Sequence, residues 1–188
     1  MFVAIEGLDG SGGTTQVRLL CSALGAHETC EPSTGPIGQL IRAALADAEM
    51  LGEGVLPYLF AADRRDHLER EIEPLLAAGK SVVTDRYVAS SLAYQSLAAP
   101  LEHVWQLNSA FRAPDVTVFL ELSVEGCLAR IDARGGVRDR FESLEKLTAI
   151  RDSYERALAL LVAGGQRVVR VDAGQSVEDV YHDVLACL

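Results

Sequence analysis

Apolar residues follow two rhythms along this chain. Short unbroken runs, Phe2-Val3-Ala4-Ile5, Ser81-Val82-Val83-Thr84, Val116–Leu122 (VTVFLEL) and Arg167–Val171, read as strands buried on both faces. Between them the apolar positions recur at three- and four-residue intervals, the period of a helix packed on one side. This spacing predicts a first helix that follows the opening glycine-rich turn and runs to about 24, and further helices over 37–45, 55–76, 88–97, 101–111, 124–133, 143–163 and 177–188. The segment Gly25–Gly35 carries weaker strand character, and Gly79 closes the long third helix. Strands separated by helices give an α/β fold with a parallel sheet of about five strands and helices on both faces. In such sheets ligands bind beyond the carboxyl ends of the strands. Two chemistry-bearing stretches fall there: Gly7–Thr15 after the first strand, and Asp85-Arg86 after the third.

The 188 residues suit one domain with a full core, without repeats or an interdomain linker. A hydrophobic fraction of 49% with 23% charged residues is that of an ordinary globule. No apolar run approaches the ~20 residues of a membrane helix, and no basic stretch precedes an apolar one at the N-terminus. A cytoplasmic protein is expected. Net charge is −10, which argues against a nucleic-acid surface. The four cysteines at 21, 30, 127 and 187 stand far apart, so reduced thiols are expected rather than a zinc or redox pair. The histidines at 27, 67, 103 and 182 form no ligand motif and read as surface or packing residues. Two of the seventeen basic residues are lysines, Lys80 and Lys146. Clustered arginines therefore carry the cationic chemistry.

Residues 7–14 nearly spell the phosphate-binding pattern G-x-x-x-x-G-K-[ST]: Gly7, Gly12 and Thr14 are in place, and Gly13 stands where the lysine belongs. A glycine-dense turn between strand and helix aims backbone N–H groups and a helix dipole at one point, where a polyphosphate fits. Gly10, Ser11 and Thr15 complete that cradle, and the Thr14 hydroxyl suits Mg²⁺. Arg86 at a strand end is placed to clamp an acceptor phosphate bidentately. Asp85 beside it suits an Mg²⁺-bound water. Phe60 and Arg64, one helical turn apart, share a face and offer an aromatic plane and a donor to a nucleobase.

Five motifs in order, EGLDGSGxTTQ at the start, EPxxxPIGxxIR at 31–42, LFAADR at 59–64, DRYxxSSLAYQ at 85–95 and RDRFE at 138–142, resemble bacterial thymidylate kinase from Phe2 to about Tyr154. The resemblance implies the P-loop nucleoside monophosphate kinase fold over 1–188, a lid segment at about 130–142, and a homodimer. The implied reaction is ATP plus dTMP giving ADP plus dTDP, with Mg²⁺. By resemblance, Asp9 organises the acceptor side near the metal and Arg86 lies between the two phosphates. Phe60 and Arg64 take thymine, and Ser91, Tyr94 and Gln95 face base and sugar. Arg42 is a second candidate for the dTMP phosphate, and Glu31 orients its neighbours in the EP turn. Arg130 is the adenine-side arginine, Arg134, Arg138 and Arg140 belong to the lid, and Glu142 approaches the metal. The chain departs from the family pattern around the EP turn, where Cys30, Ser33 and Thr34 replace the usual arginine and glycines.

The lysine missing at position 13 normally adds one charge to the β- and γ-phosphates, and a charged hydrogen bond contributes about 1.5–3 kcal/mol. Arg18 lies ~140° around and ~7.5 Å along the helix from position 13 and should point away. An arginine of the lid, Arg138 above all, is the expected stand-in. Two other readings stay open: a nucleotide-binding paralogue impaired in catalysis, and a kinase whose acceptor is dUMP or another monophosphate.

Overall fold

A computed structural model describes residues 1–47, 49–135 and 141–188. Five strands, β1 (Phe2–Gly7), β2 (His27–Cys30), β3 (Val82–Asp85), β4 (Val116–Glu121) and β5 (Val168–Asp172), form one parallel sheet in the order β2-β3-β1-β4-β5. Each strand reaches the next through helices: α1 (Gly13–Leu24), α2 (Pro36–Ala46), α3 (Leu56–His67), α4 (Glu73–Ala77), α5 (Val88–Gln95), α6 (Leu101–Asn108), α7 (Val124–Arg134), α8 (Leu144–Ala163) and α9 (Val177–Ala186). Among the described residues no helix is long and apolar enough to cross a membrane.

The strict alternation of strand side chains sorts the core into two layers. Val3, Ile5, Val83, Val118 and Leu120 face α1 and α9 through Val17, Leu20, Val180 and Val184. Phe2, Ala4, Val82 and Phe119 face the other helices through Leu92, Ile131, Ile150, Tyr154 and Leu158. The same alternation decides where the polar ends of the strands point. Glu6 falls on the α5 and α8 side of β1, and Asp85 falls on the α1 side of β3.

β1 lies between β3 and β4, with Ile5 opposite Asp85 and Gly7 opposite Leu120. The chain leaves β1 towards β2 and returns later to β4, so the sheet order reverses beside β1. That is the crevice where open α/β sheets bind ligands.

The helix expected over 55–76 is three joined segments. α3 runs into a π turn at Leu68–Ile72 and then into α4. The extra residue in the π turn keeps Leu68 and Ile72 buried while the preceding turn stays aimed at the β2 edge. The helices expected to reach 97 and 111 end two and three residues early, at Gln95 and Asn108, where turns take over.

Candidate active site

The turn after β1 is held by Ser11 N–H donating to Leu8 O at 3.0 Å. Gly10 (φ 86°) and Gly12 (φ 104°) take left-handed conformations that favour glycine. A side chain at Gly10 would also collide with the backbone of Cys127, whose carbonyl oxygen lies 2.5 Å from the Cβ position. No side chain caps α1, and its first turn carries no acid. The opening amides therefore face a cavity of about 420 Å³ and remain open to an anion. Gly7, Asp9, Gly10, Ser11, Gly12, Gly13, Thr14, Thr15, Asp85, Arg86, Arg130 and Arg134 line it, which unites nearly all the expected donor-side residues.

Thr14 Oγ1 donates to Asp85 Oδ2 at 2.6 Å, so the two expected Mg²⁺-side groups are in contact. A Cβ at Gly13 would stand 2.9 Å from Asp85 Oδ1. Arg130 donates to the carbonyls of Ser11 (3.1 Å) and Ala173 (2.7 Å), which pins it against the glycine turn. Arg134 pairs with the buried Glu142 at 2.6 Å. Arg18 points away to Glu28 (3.6 Å), as its position on the helix requires. Arg138 and Arg140 lie outside the described residues.

A second cavity of about 340 Å³ opens beside the first, and Asp9 and Arg86 line both. Its walls include Glu31, Phe60, Arg64, Tyr87, Ser91, Tyr94, Gln95, Phe141 and Lys146. Arg86 stands at the junction. Its Nη2 donates to Asp9 Oδ1 at 2.6 Å, and its Nη1 donates to Gly7 O, Ser90 Oγ and the Tyr154 hydroxyl at 3.1–3.2 Å. Burial works against this charge, but Tyr94, Asp9, Tyr154 and Asp85 more than offset it, and the guanidinium is firmly cationic. The backbone of Arg86 takes φ 71°, a conformation costly for a non-glycine residue and held here by Arg86 N–H donating to Ile5 O at 2.9 Å. Tyr94 donates to Asp9 Oδ2 at 2.9 Å and lies beneath the Arg86 guanidinium, 5.0 Å from ring centre to Cζ. Burial above all, then the Asp9 charge, keeps its phenol protonated.

The scaffold under Arg86 was not foreseen in the sequence. Glu6, 1% exposed, accepts at Oε1 from Tyr87 N–H (2.8 Å) and Ser90 N–H (3.2 Å), and at Oε2 from Ser90 Oγ (2.5 Å) and the Tyr154 hydroxyl (3.2 Å). It thus caps α5 from a neighbouring strand and orients two of the three acceptors of Arg86 Nη1. Burial raises its pKa, opposed by the hydrogen bond from Ser90 and the charge of Arg86. In Glu6→Gln an amide N–H₂ faces one pair of these donors. The expected loss, read as a shift in urea midpoint, is about 1–3 kcal/mol for the donors left unmatched.

Arg64 is fully buried, with both terminal nitrogens engaged and Nε without a hydrogen-bond partner among the described residues. Nη2 donates to Glu31 Oε2 (2.5 Å) and Ser91 Oγ (2.9 Å), and Nη1 donates to Asn108 Oδ1. Its Cζ also sits 4.9 Å from the ring centre of Tyr87. Glu31 in turn faces His67, and Asp63 accepts from Ser33 N–H (2.7 Å) and Ser33 Oγ (2.6 Å). Asp63, Arg64 and His67 of α3 therefore fix the segment leaving β2. Arg42 is not among the residues lining either cavity; its guanidinium donates to the carbonyls of Pro32 and Ser33 and, at 3.7 Å, to Cys30 Sγ. Ser90, Asn108, Tyr154 and Lys146 were missed by motif reading. Of these only Lys146 carries a signal, being one of two lysines in an arginine-rich chain.

The sequence model of the family described as Thymidylate kinase matches residues 5–184. A protein of Pyrobaculum calidifontis named "Probable thymidylate kinase" is 40% identical over 190 residues, covering 100% of this chain and 95% of the relative. A protein of Symbiobacterium thermophilum named "Thymidylate kinase" is 40% identical over 197 residues, covering 98% of this chain and 90% of the relative. With a glycine-lined anion cavity and a base-sized cavity meeting at Arg86, and with relatives matched over nearly their whole length, the chain belongs to the thymidylate kinase family.

Proposed function

We propose that this chain transfers the γ-phosphoryl group of ATP to dTMP, giving dTDP and ADP in the supply of dTTP. The observation that carries this is the sharing of Asp9 and Arg86 by two cavities, one lined by glycines and one by Phe60, Tyr87 and Tyr94. Phosphoryl transfer asks the protein to align two anions and neutralise charge as it develops. Amides of Gly10, Gly12, Gly13 and Thr14 would hold the donor phosphates, with Ser11 and Thr15 completing the turn around them, and Arg130 and Arg134 would border them. Phe60 would face the base with Arg64, Ser91 and Gln95 around it, and Tyr94 would meet the sugar. Arg42 and Glu31 would shape the approach to the acceptor phosphate.

The contact between Thr14 Oγ1 and Asp85 Oδ2 leaves two hard oxygen donors at the mouth of the amide turn, a set that fits Mg²⁺. Thr14 would ligate the ion, and Asp85 and Glu142 would act on its waters. When bound, the ion neutralises phosphate charge. The chain's own contribution at the reacting centre is Arg86: its Nη2 must exchange the Asp9 carboxylate for phosphoryl oxygens, with Nη1 anchored throughout. Arg138 and Arg140 are proposed to bring the charge absent at Gly13. A reduced cytoplasm suits the four unpaired cysteines, and a homodimer goes with the reading.

A coupled assay of ADP release tests the proposal with dTMP, dUMP, dCMP and dGMP. Turnover is expected with dTMP, weaker turnover with dUMP, and none with the purine nucleotide. Binding of dTMP and Mg·ATP without ADP release would favour the impaired paralogue instead.

A further inference from the structure

His67 is the last residue of α3, and none of its side chain reaches solvent. Nδ1 lies 3.4 Å from Glu31 Oε1. Nε2 lies 2.8 Å from Thr29 Oγ1 and 3.7 Å from Glu71 Oε1. Nδ1 thus faces the Glu31 carboxylate, and Nε2 faces a hydroxyl that can donate or accept, with the Glu71 carboxylate beyond it. Only the imidazolium presents positive charge to both carboxylates. The charged and titratable groups facing it are Glu31 from the turn after β2, Glu71 from the π turn, and Asp63 from its own helix. His27 sits behind Glu71 at 2.8 Å, and Arg64 behind Glu31 at 2.5 Å.

We propose that the imidazolium of His67 is a positioning residue that acts through Glu31 on Arg64, so that nucleotide binding in the acceptor cavity is linked to a proton on His67. Glu31 spans two cations, with Oε1 towards His67 and Oε2 towards Arg64. While His67 is charged, it shares the carboxylate, and Arg64 keeps positive potential for a base carbonyl. Once His67 is neutral, Glu31 draws on Arg64 alone, and the positive potential that Arg64 offers the cavity weakens. Burial by itself lowers the pKa of His67, but the hydrogen bond and charge of Glu31, with the charges of Glu71 and Asp63, raise it above the ordinary histidine range. The affinity that depends on the proton is therefore present below that range and lost as pH climbs through the raised value. The inference rests on the acceptor cavity being the dTMP site.

The test uses the full chain, first shown to turn over dTMP at pH 7, which settles that reading separately. Calorimetric Kd for dTMP is then compared at pH 7 and pH 9, where the nucleotide phosphate is mostly dianionic at both ends. The wild-type chain is expected to bind about tenfold more weakly at pH 9, the equivalent of one unit of linkage. His67→Gln is expected to bind equally at both pH values, near the weaker figure, while kcat at saturating dTMP keeps its wild-type pH profile. An unchanged Kd in the wild-type chain, or the same pH dependence in His67→Gln, overturns the proposal. Should that variant fail to fold, imidazole NMR of the wild-type chain decides, since only four histidines need assignment. Linkage is reciprocal, so the His67 midpoint must rise by about one unit when dTMP binds. A midpoint indifferent to dTMP refutes the linkage.

Discussion

Arg86→Ala is expected to lower kcat by on the order of 10³-fold, the range found when a preorganised cation is withdrawn from a phosphoryl-transfer or oxyanion site. Three contacts through Nη1 fix its guanidinium before any nucleotide arrives, and its strained backbone is tied to Ile5, so beyond the exchange of Asp9 at Nη2 little reorganisation is left for the reaction itself. Arg86→Lys should recover little. One ammonium cannot bridge Gly7 O, Ser90 and Tyr154 on one side and phosphoryl oxygens on the other. Steady-state rates at saturating dTMP and ATP check this, with KM recorded separately. The fall should appear in kcat because the contact tightens as charge develops. A variant within tenfold of the parent would mean that Arg86 holds the site together without stabilising transfer.

Arg64→Met is expected to cost about 3–5 kcal/mol of stability, because it strands the buried Glu31 carboxylate with one of its two cations gone. Asn108 Oδ1 and Ser91 Oγ lose their donor as well. Against a typical total of about 5–15 kcal/mol, that is a large share, and for a chain of this size it corresponds to a fall in Tm of about 6–20 °C. Urea midpoints measure it. The double variant Glu31→Met/Arg64→Met should be markedly less destabilised than Arg64→Met alone, since the unpaired charge is then absent. Equal destabilisation of single and double variants would show that packing, not charge, sets the cost.

The two rhythms of apolar spacing were sufficient to read the sheet and nearly every helix, because burial on one or two faces leaves a periodic trace. Val116–Glu121 and Leu144–Ala163 are the clearest cases. The π turn at Leu68–Ile72 left no such trace, since Leu68, Ile72 and Leu75 still fit an ordinary helical stripe. The residues that line the glycine cavity were legible because the glycine pattern is local, seven of those expected on the donor side lying from position 7 to 15. What escaped was assembled from afar. Glu6 meets Ser90 and Tyr154 across 84 and 148 residues, and Arg64 meets Glu31, Ser91 and Asn108 across 27 to 44. His67 carried the right chemistry but no neighbouring motif, and only the fold sets carboxylates on both sides of its ring. Phe60 and Arg64, paired in the sequence, do line one cavity, although the guanidinium proves to be shared with three protein partners.

A Cβ at position 13 would stand 2.9 Å from Asp85 Oδ1, the tip of a side chain whose other oxygen accepts from Thr14. Restoring the customary lysine therefore asks that carboxylate to shift while it keeps hold of Thr14. Redesign of this loop has to watch 13 and 85 together, because the new stem and the metal-side oxygens would share one contact.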